Sequence, residues 1–231
     1  MMEHTVRAYD AELDAITAEL ARMGGLAEAE VADSIRAIAR RDMALAESVI
    51  GRDAHLDSLE LEIERKVIRL IALRQPVADD LRRAVAAMKI SANLERCGDL
   101  AKNIAKRALV IAQGDLATSL TSSIERMGEL VTTRLKDVLD AVAARDVERA
   151  VDVWLHDHEV DEHYDAIFRE LLTYMMGDPR MIASCAHLLF AAKNLERIGD
   201  HATNIAEILH YEITGVELIE QRPKSDSLEP S

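Results

Sequence analysis

Carboxylates one helical turn apart dominate the chemistry this chain can offer. Glu95, Asp99 and Asn103 stand in the run Asn93-Leu94-Glu95-Arg96-Cys97-Gly98-Asp99-Leu100-Ala101-Lys102-Asn103-Ile104-Ala105. The same grammar returns as Asn194-Leu195-Glu196-Arg197-Ile198-Gly199-Asp200-His201-Ala202-Thr203-Asn204-Ile205-Ala206, with Glu196, Asp200 and Asn204 at the same offsets. One helix earlier in each half, Asp53-x-x-x-Asp57 and Asp157-x-x-x-Asp161 repeat at a spacing of 104 residues. Like charges at i,i+4 repel by a few tenths of a kcal/mol, roughly. Hard cations with oxygen ligands remove that repulsion and bridge helices. The bland alternative is a solvated acidic face. Two helices carrying the pair in both halves weigh against it.

The remaining candidates are weaker. His156, His158 and His163 cluster on the fifth helix only and read as a surface group rather than a ligand set. Glu207-x-x-His210 matches half of a di-iron motif but has no second copy. Cys97 falls on a core stripe and reads as a buried apolar residue, and Trp154 and Phe168 as core or interface anchors. Two cysteines give neither a disulfide framework nor a Cys-x-x-Cys metal site. No phosphate-binding glycine loop or nucleophile elbow is visible.

The elements that must position these groups are helical throughout. Apolar positions at helical spacing run over residues 4–40, where Gly24-Gly25 predicts an interruption or kink. Asp42 reads as the N-cap of a second helix, which ends at Gln75-Pro76. Pro76 reads as the first residue of a third helix, with Asp79 and Asp80 in its first turn, running to about residue 112. Gln113-Gly114-Asp115 reads as a C-cap followed by an N-cap. A fourth helix over about 116–144, a fifth over about 147–176 and a sixth to about 214 repeat the plan, with Arg145-Asp146 matching Arg41-Asp42. The fold class is therefore all-α: two tandem three-helix bundles, six long antiparallel helices related by internal duplication. The bundles take residues 1–113 and 114–215, and 216–231 reads as a frayed tail.

On a wheel of about 100° per residue, Leu94, Cys97, Ala101, Ile104 and Ala108 share one stripe, as do Leu195, Ile198, Ala202, Ile205 and Leu209. Glu95, Asp99, Asn103 and their counterparts fall on nearly the opposite side, so the acidic motif is expected to face outward. Adjacent helices would then converge four carboxylates on one patch per half. Gly98 and Gly199, inside both copies, imply a close helix approach.

Bulk properties limit the partners. A net charge of −14 argues against nucleic acid, which needs a basic face. It suits divalent or trivalent cations, or a basic patch on a protein partner. No apolar run approaches the ~18–20 residues of a membrane span, and no basic-then-apolar leader opens the chain. A cytoplasmic protein with no direct membrane insertion is expected.

With both copies quoted, the chain resembles the PhoU family, accessory regulators of bacterial phosphate uptake. The resemblance rests on Leu94-Glu95-Arg96-x-Gly98-Asp99, Leu195-Glu196-Arg197-Ile198-Gly199-Asp200-His201-Ala202-x-Asn204-Ile205 and Gln75-Pro76-x-x-x-Asp80-Leu81-Arg82, with the two Asp pairs, and it covers about residues 4–214. It implies a non-enzymatic homodimer that links the phosphate-transporter ATPase to a membrane sensor kinase and represses the phosphate-starvation response. It also implies surface metal clusters, of iron, zinc, magnesium or another ion. Asp53, Asp57, Glu95 and Asp99 would ligate one site, and Asp157, Asp161, Glu196 and Asp200 the other, with Asn103 and Asn204 as further or supporting ligands. The chain departs from the pattern at Cys97 (usually Ile), at Leu100 (usually His) and at Asp178-Pro179-Arg180-Met181. A metal-dependent phosphohydrolase and a purely structural helical module stay open as other uses of the same residues.

Overall fold

The computed structural model describes residues 2–114 and 118–218. Helix α1 (Met2–Arg40), α2 (Met43–Arg74) and α3 (Asp79–Ala112) form the first half. The second comprises α4 (Thr118–Ala144), α5 (Val147–Leu155), α6 (His158–Gly177), a 3₁₀ turn (Pro179–Met181) and α7 (Ile182–Thr214). Among the described residues there is no strand. Asp115, read as an N-cap, and residues 219–231 of the tail lie outside the described residues.

The chain reverses in the same way in both halves. Arg41 and Arg145 adopt left-handed backbone with φ of 53° and 54°. The next residues close the helix end, with Asp42 N–H on Ala37 O at 3.0 Å and Asp146 N–H on Ala141 O at 2.9 Å. Each aspartate then caps the following helix: Asp42 Oδ1 accepts from Leu45 N–H at 2.9 Å and Asp146 Oδ1 from Arg149 N–H at 3.1 Å.

Three expectations need correction. First, α1 runs unbroken through Gly24-Gly25. Gly24 marks a close approach instead, because a Cβ there would lie 2.6 Å from Leu139 Cδ2 of α4. Gly128 does the same against Ile35 of α1, at 2.7 Å. Both residues of one contact lie 104 positions from their counterparts in the other, so α1 and α4 meet about an internal pseudo-two-fold axis. Second, Pro76 is not in a helix. Gln75 ends α2 in left-handed backbone (φ 49°), its N–H on Ile71 O, and Pro76 follows as a stop. Third, the fifth rod is broken at His156-Asp157 into α5 and α6.

The expected stripes form the core. Leu94, Cys97, Ala101, Ile104 and Ala108 are buried, as are Leu195, Ile198, Ala202, Ile205 and Leu209. Helix α3 packs along α7 as well as against α1 and α2, so one apolar core runs through both bundles.

Candidate metal centre

The acidic motifs sit deeper than the helical wheel places them. Asp53 is only 5% exposed and Glu95 and Glu196 are largely covered, whereas Asp57 is exposed and Asp200 keeps part of its surface open at the crowded edge of its cluster. The wheel measures an angle on one helix, and here the opposite side of α3 faces a groove shared with α2. Gly98 and Gly199 allow that closeness. A Cβ on Gly98 would lie 2.4 Å from Leu56 Cδ1 of α2, and one on Gly199 would lie 3.2 Å from Val160 Cγ1 of α6.

In the first half, an ammonium stands among the carboxylates. Lys102 Nζ lies 2.5 Å from Asp53 Oδ2 and 3.3 Å from Asp99 Oδ1, tying α2 to α3. Burial holds Glu95 above the ordinary carboxylate range, Arg96 opposes it, and Asp99, Glu60 and Asp57 push the same way as burial. Three of the expected residues, Glu95, Asp99 and Asp57, thus share one field, and the Lys102 ammonium links Asp53 to Asp99. Helix α1 adds groups that the helix-pair reasoning missed. Glu30 is 2% exposed, and burial pushes it up to about 7; Arg52 opposes this, while Asp53, Asp33 and Asp57 add to it. Arg52 itself pairs with Asp33 at 2.5 Å. A signal for Glu30 was present, since a charged residue stands between the core positions Ala27, Val31 and Ser34.

In the second half the four carboxylates are coupled to one another. Burial pushes Asp200 up to about 6, Glu196, Asp157 and Asp161 add to the rise, and Lys193 opposes it. Asp161 is raised by burial and then by Asp157 and Glu196. Thr203, standing where the first motif has Lys102, lies 2.7 Å from Asp157 Oδ1 and donates to it. Lys193 reaches Glu196 Oε1 at 2.6 Å from a turn earlier on α7. Asn103 is exposed and Asn204 half-buried, each one turn beyond its aspartate.

The donor set suits a hard cation. It consists of carboxylate oxygens, and Glu196 Oε2 and Glu30 Oε2 are buried without a hydrogen-bond partner. Among the described residues, no three His, Cys, Asp or Glu side chains are closed around one ion position. In the first half the Lys102 ammonium bridges Asp53 and Asp99 instead. Cys97, wholly buried and pushed up to about 12 by that burial, is an apolar filler and not a thiolate ligand. His156 and His158 spend Nδ1 on the backbone carbonyls of Asp152 and Leu155. Glu207 accepts from the Trp154 indole at 3.0 Å, and His210 Nδ1 lies 3.0 Å from Val216 O, so that pair is engaged locally. Trp154 is core, but Phe168 is exposed.

The molecule is therefore a duplicated three-helix-bundle protein with a carboxylate cluster in the same place in each half. A family model described as "PhoU domain" matches residues 20–108 and again 124–209, and the chain belongs to the PhoU family. It is 67% identical over 228 residues to the phosphate-specific transport system accessory protein PhoU homolog of Caulobacter vibrioides, covering 99% of each chain. Against the phosphate-specific transport system accessory protein PhoU of Escherichia coli strain K12 the identity is 39% over 213 residues, or 92% of this chain and 88% of that one. The crystal structure of PhoU from Pseudomonas aeruginosa superposes with a TM-score of 0.87 at 37% identity, over 90% of this chain and all of that one.

Proposed function

We propose that this chain is a cytoplasmic, non-enzymatic regulator of phosphate uptake and homeostasis. It acts as a homodimeric adaptor between a phosphate-transporter ATPase and a phosphate-sensing membrane kinase, and it represses the phosphate-starvation response. The observation that carries this reading is the acidic cluster repeated on matching helices of both halves, in a chain nearly full-length similar to proteins named accessory to phosphate-specific transport. Among the described residues no helix is long and apolar enough to cross a membrane, which suits an adaptor that reaches membrane partners by contact. Asp53, Asp57, Glu95 and Asp99 would hold a cation in the first half, and Asp157, Asp161, Glu196 and Asp200 one in the second. A bound divalent or trivalent ion would neutralise repelling carboxylates and tie each pair of helices into one docking face. With a net charge of −14, that face favours encounter with a basic partner surface.

The test is gene replacement with Asp99→Ala/Asp200→Ala, read by a phosphate-repressed reporter and by elemental analysis of protein purified without chelator. The expected result is metal loss together with derepression in high phosphate. Full repression by a metal-free double variant would remove metal from the mechanism. An unchanged reporter on deleting the whole gene would sink the regulatory reading.

A further inference from the structure

The two clusters differ at one position contributed by the first helix of each half. The 104-residue offset that relates Asp53 to Asp157 and Gly24 to Gly128 carries Glu30 of α1 to Arg134 of α4. Arg134 is paired, with Nη2 2.5 Å from Glu159 Oε2. Glu30 stands in a different condition. Its side chain is almost wholly buried, and its Oε2 has no hydrogen-bond partner. That oxygen faces α3 at Gly98, where a Cβ would come within 3.5 Å of it, and Gly98 immediately precedes Asp99. The nearby guanidinium of Arg52 gives Nη2 to Asp33 while its buried Nε has no hydrogen-bond partner, and the Lys102 ammonium is held by Asp53 and Asp99. A buried carboxylate oxygen without a partner destabilises a fold unless something else satisfies it.

We propose that Glu30 is a metal ligand of the first site. It joins the Asp53, Asp57, Glu95 and Asp99 set so that this site is shared by three helices, α1, α2 and α3. The second site has no such ligand from α4, because Arg134 occupies the equivalent place. The inference rests on the metal reading of the clusters given above. It makes the two halves inequivalent: a metal in the first site would tie α1, which also packs against α4, to α2 and α3, while a metal in the second would tie α6 to α7 with no ligand from α4.

The probe is Mn²⁺ added to chelator-treated full-length protein, with free ion counted by its aqueous EPR signal. Asp200→Asn isolates the first site and Asp99→Asn the second. Glu30→Gln should weaken Mn²⁺ binding by about tenfold or more in the Asp200→Asn chain and leave the Asp99→Asn chain unchanged. In chelator, Glu30→Gln should melt no lower than its parent, because a buried charge has been removed. Unchanged Mn²⁺ affinity in the Asp200→Asn chain overturns the proposal while leaving the metal reading intact. A variant that melts below its parent in chelator assigns the carboxylate to the fold and also overturns it. Wild-type protein that takes up no Mn²⁺ overturns both.

Discussion

Glu30 and Asp200 make stability depend on pH in a direction opposite to that of an ordinary ion-paired carboxylate. Burial is the leading cause in both, raising Glu30 from 4.5 to about 7 and Asp200 from 3.8 to about 6. Between the ordinary and the raised value the folded chain keeps a proton that the unfolded chain has released. Their contribution is fully present below the unfolded values and is lost as pH rises through about 6 for Asp200 and about 7 for Glu30. His201 works the other way: burial and the charges of Arg197 and Arg96 hold it below 6.5, so its contribution is lost on acidification. The useful measurement is therefore a difference between two chains. In chelator, wild type should lose more thermal stability between pH 5 and pH 7.5 than Glu30→Gln does, by a few degrees at about 2–4 °C per kcal/mol. Equal losses would mean that Glu30 is not a buried, proton-holding carboxylate. Mn²⁺ at pH 7.5 should restore the wild-type melting temperature by taking the proton's place.

At the scale of helices, glycines divide into those that neighbouring helices require and those they ignore. A methyl on Gly128 would meet Cδ1, Cγ2 and Cγ1 of Ile35 within 2.8 Å, and a branched side chain cannot clear it by turning one terminal atom. Gly128→Ala should cost about 1–3 kcal/mol. Gly25 is exposed inside α1, and a methyl added there would meet nothing within 4 Å, so Gly25→Ala should add about 1 kcal/mol. Opposite shifts in urea midpoint would check both, and a neutral Gly128→Ala would show that α1 and α4 are not closely packed there. Which helices exist, where Asp42 and Asp146 cap them, and which residues face the core were all legible, because capping and amphipathic spacing are local. The break between α5 and α6 was not. There Asp157 takes a hydrogen bond from Thr203, 46 residues on, and no local pattern marks such a contact. The depth of the acidic motifs was hidden for the same reason. A charge on the core stripe of α1 marked Glu30 as buried, but its arrival beside Asp53 and Asp57 was hidden too, since both depend on how α1 settles against α2 and α3.

For the molecule as a whole, the question is whether duplication has left two folding units or one. The halves meet along α1–α4 and α3–α7, with a shared apolar core. Polar contacts cross the same boundary: His201 Nδ1 lies 2.8 Å from Asn93 Oδ1, and Arg82 Nε donates to Glu212 O at 3.2 Å. An interface this continuous should make the bundles unfold together. Trp154 supplies the probe, being the chain's one tryptophan, 4% exposed and confined to the second half. Asp42→Ala removes a cap in the first half and should cost about 0.5–2 kcal/mol. If the halves are coupled, the urea midpoint read by Trp154 fluorescence falls by the same amount as that read by far-UV circular dichroism. An unmoved fluorescence transition beside a shifted dichroism transition would mean that each bundle melts alone. Communication between the two acidic clusters depends on this outcome, because a metal or partner bound at one can bias the other only through a boundary that neither half gives up independently.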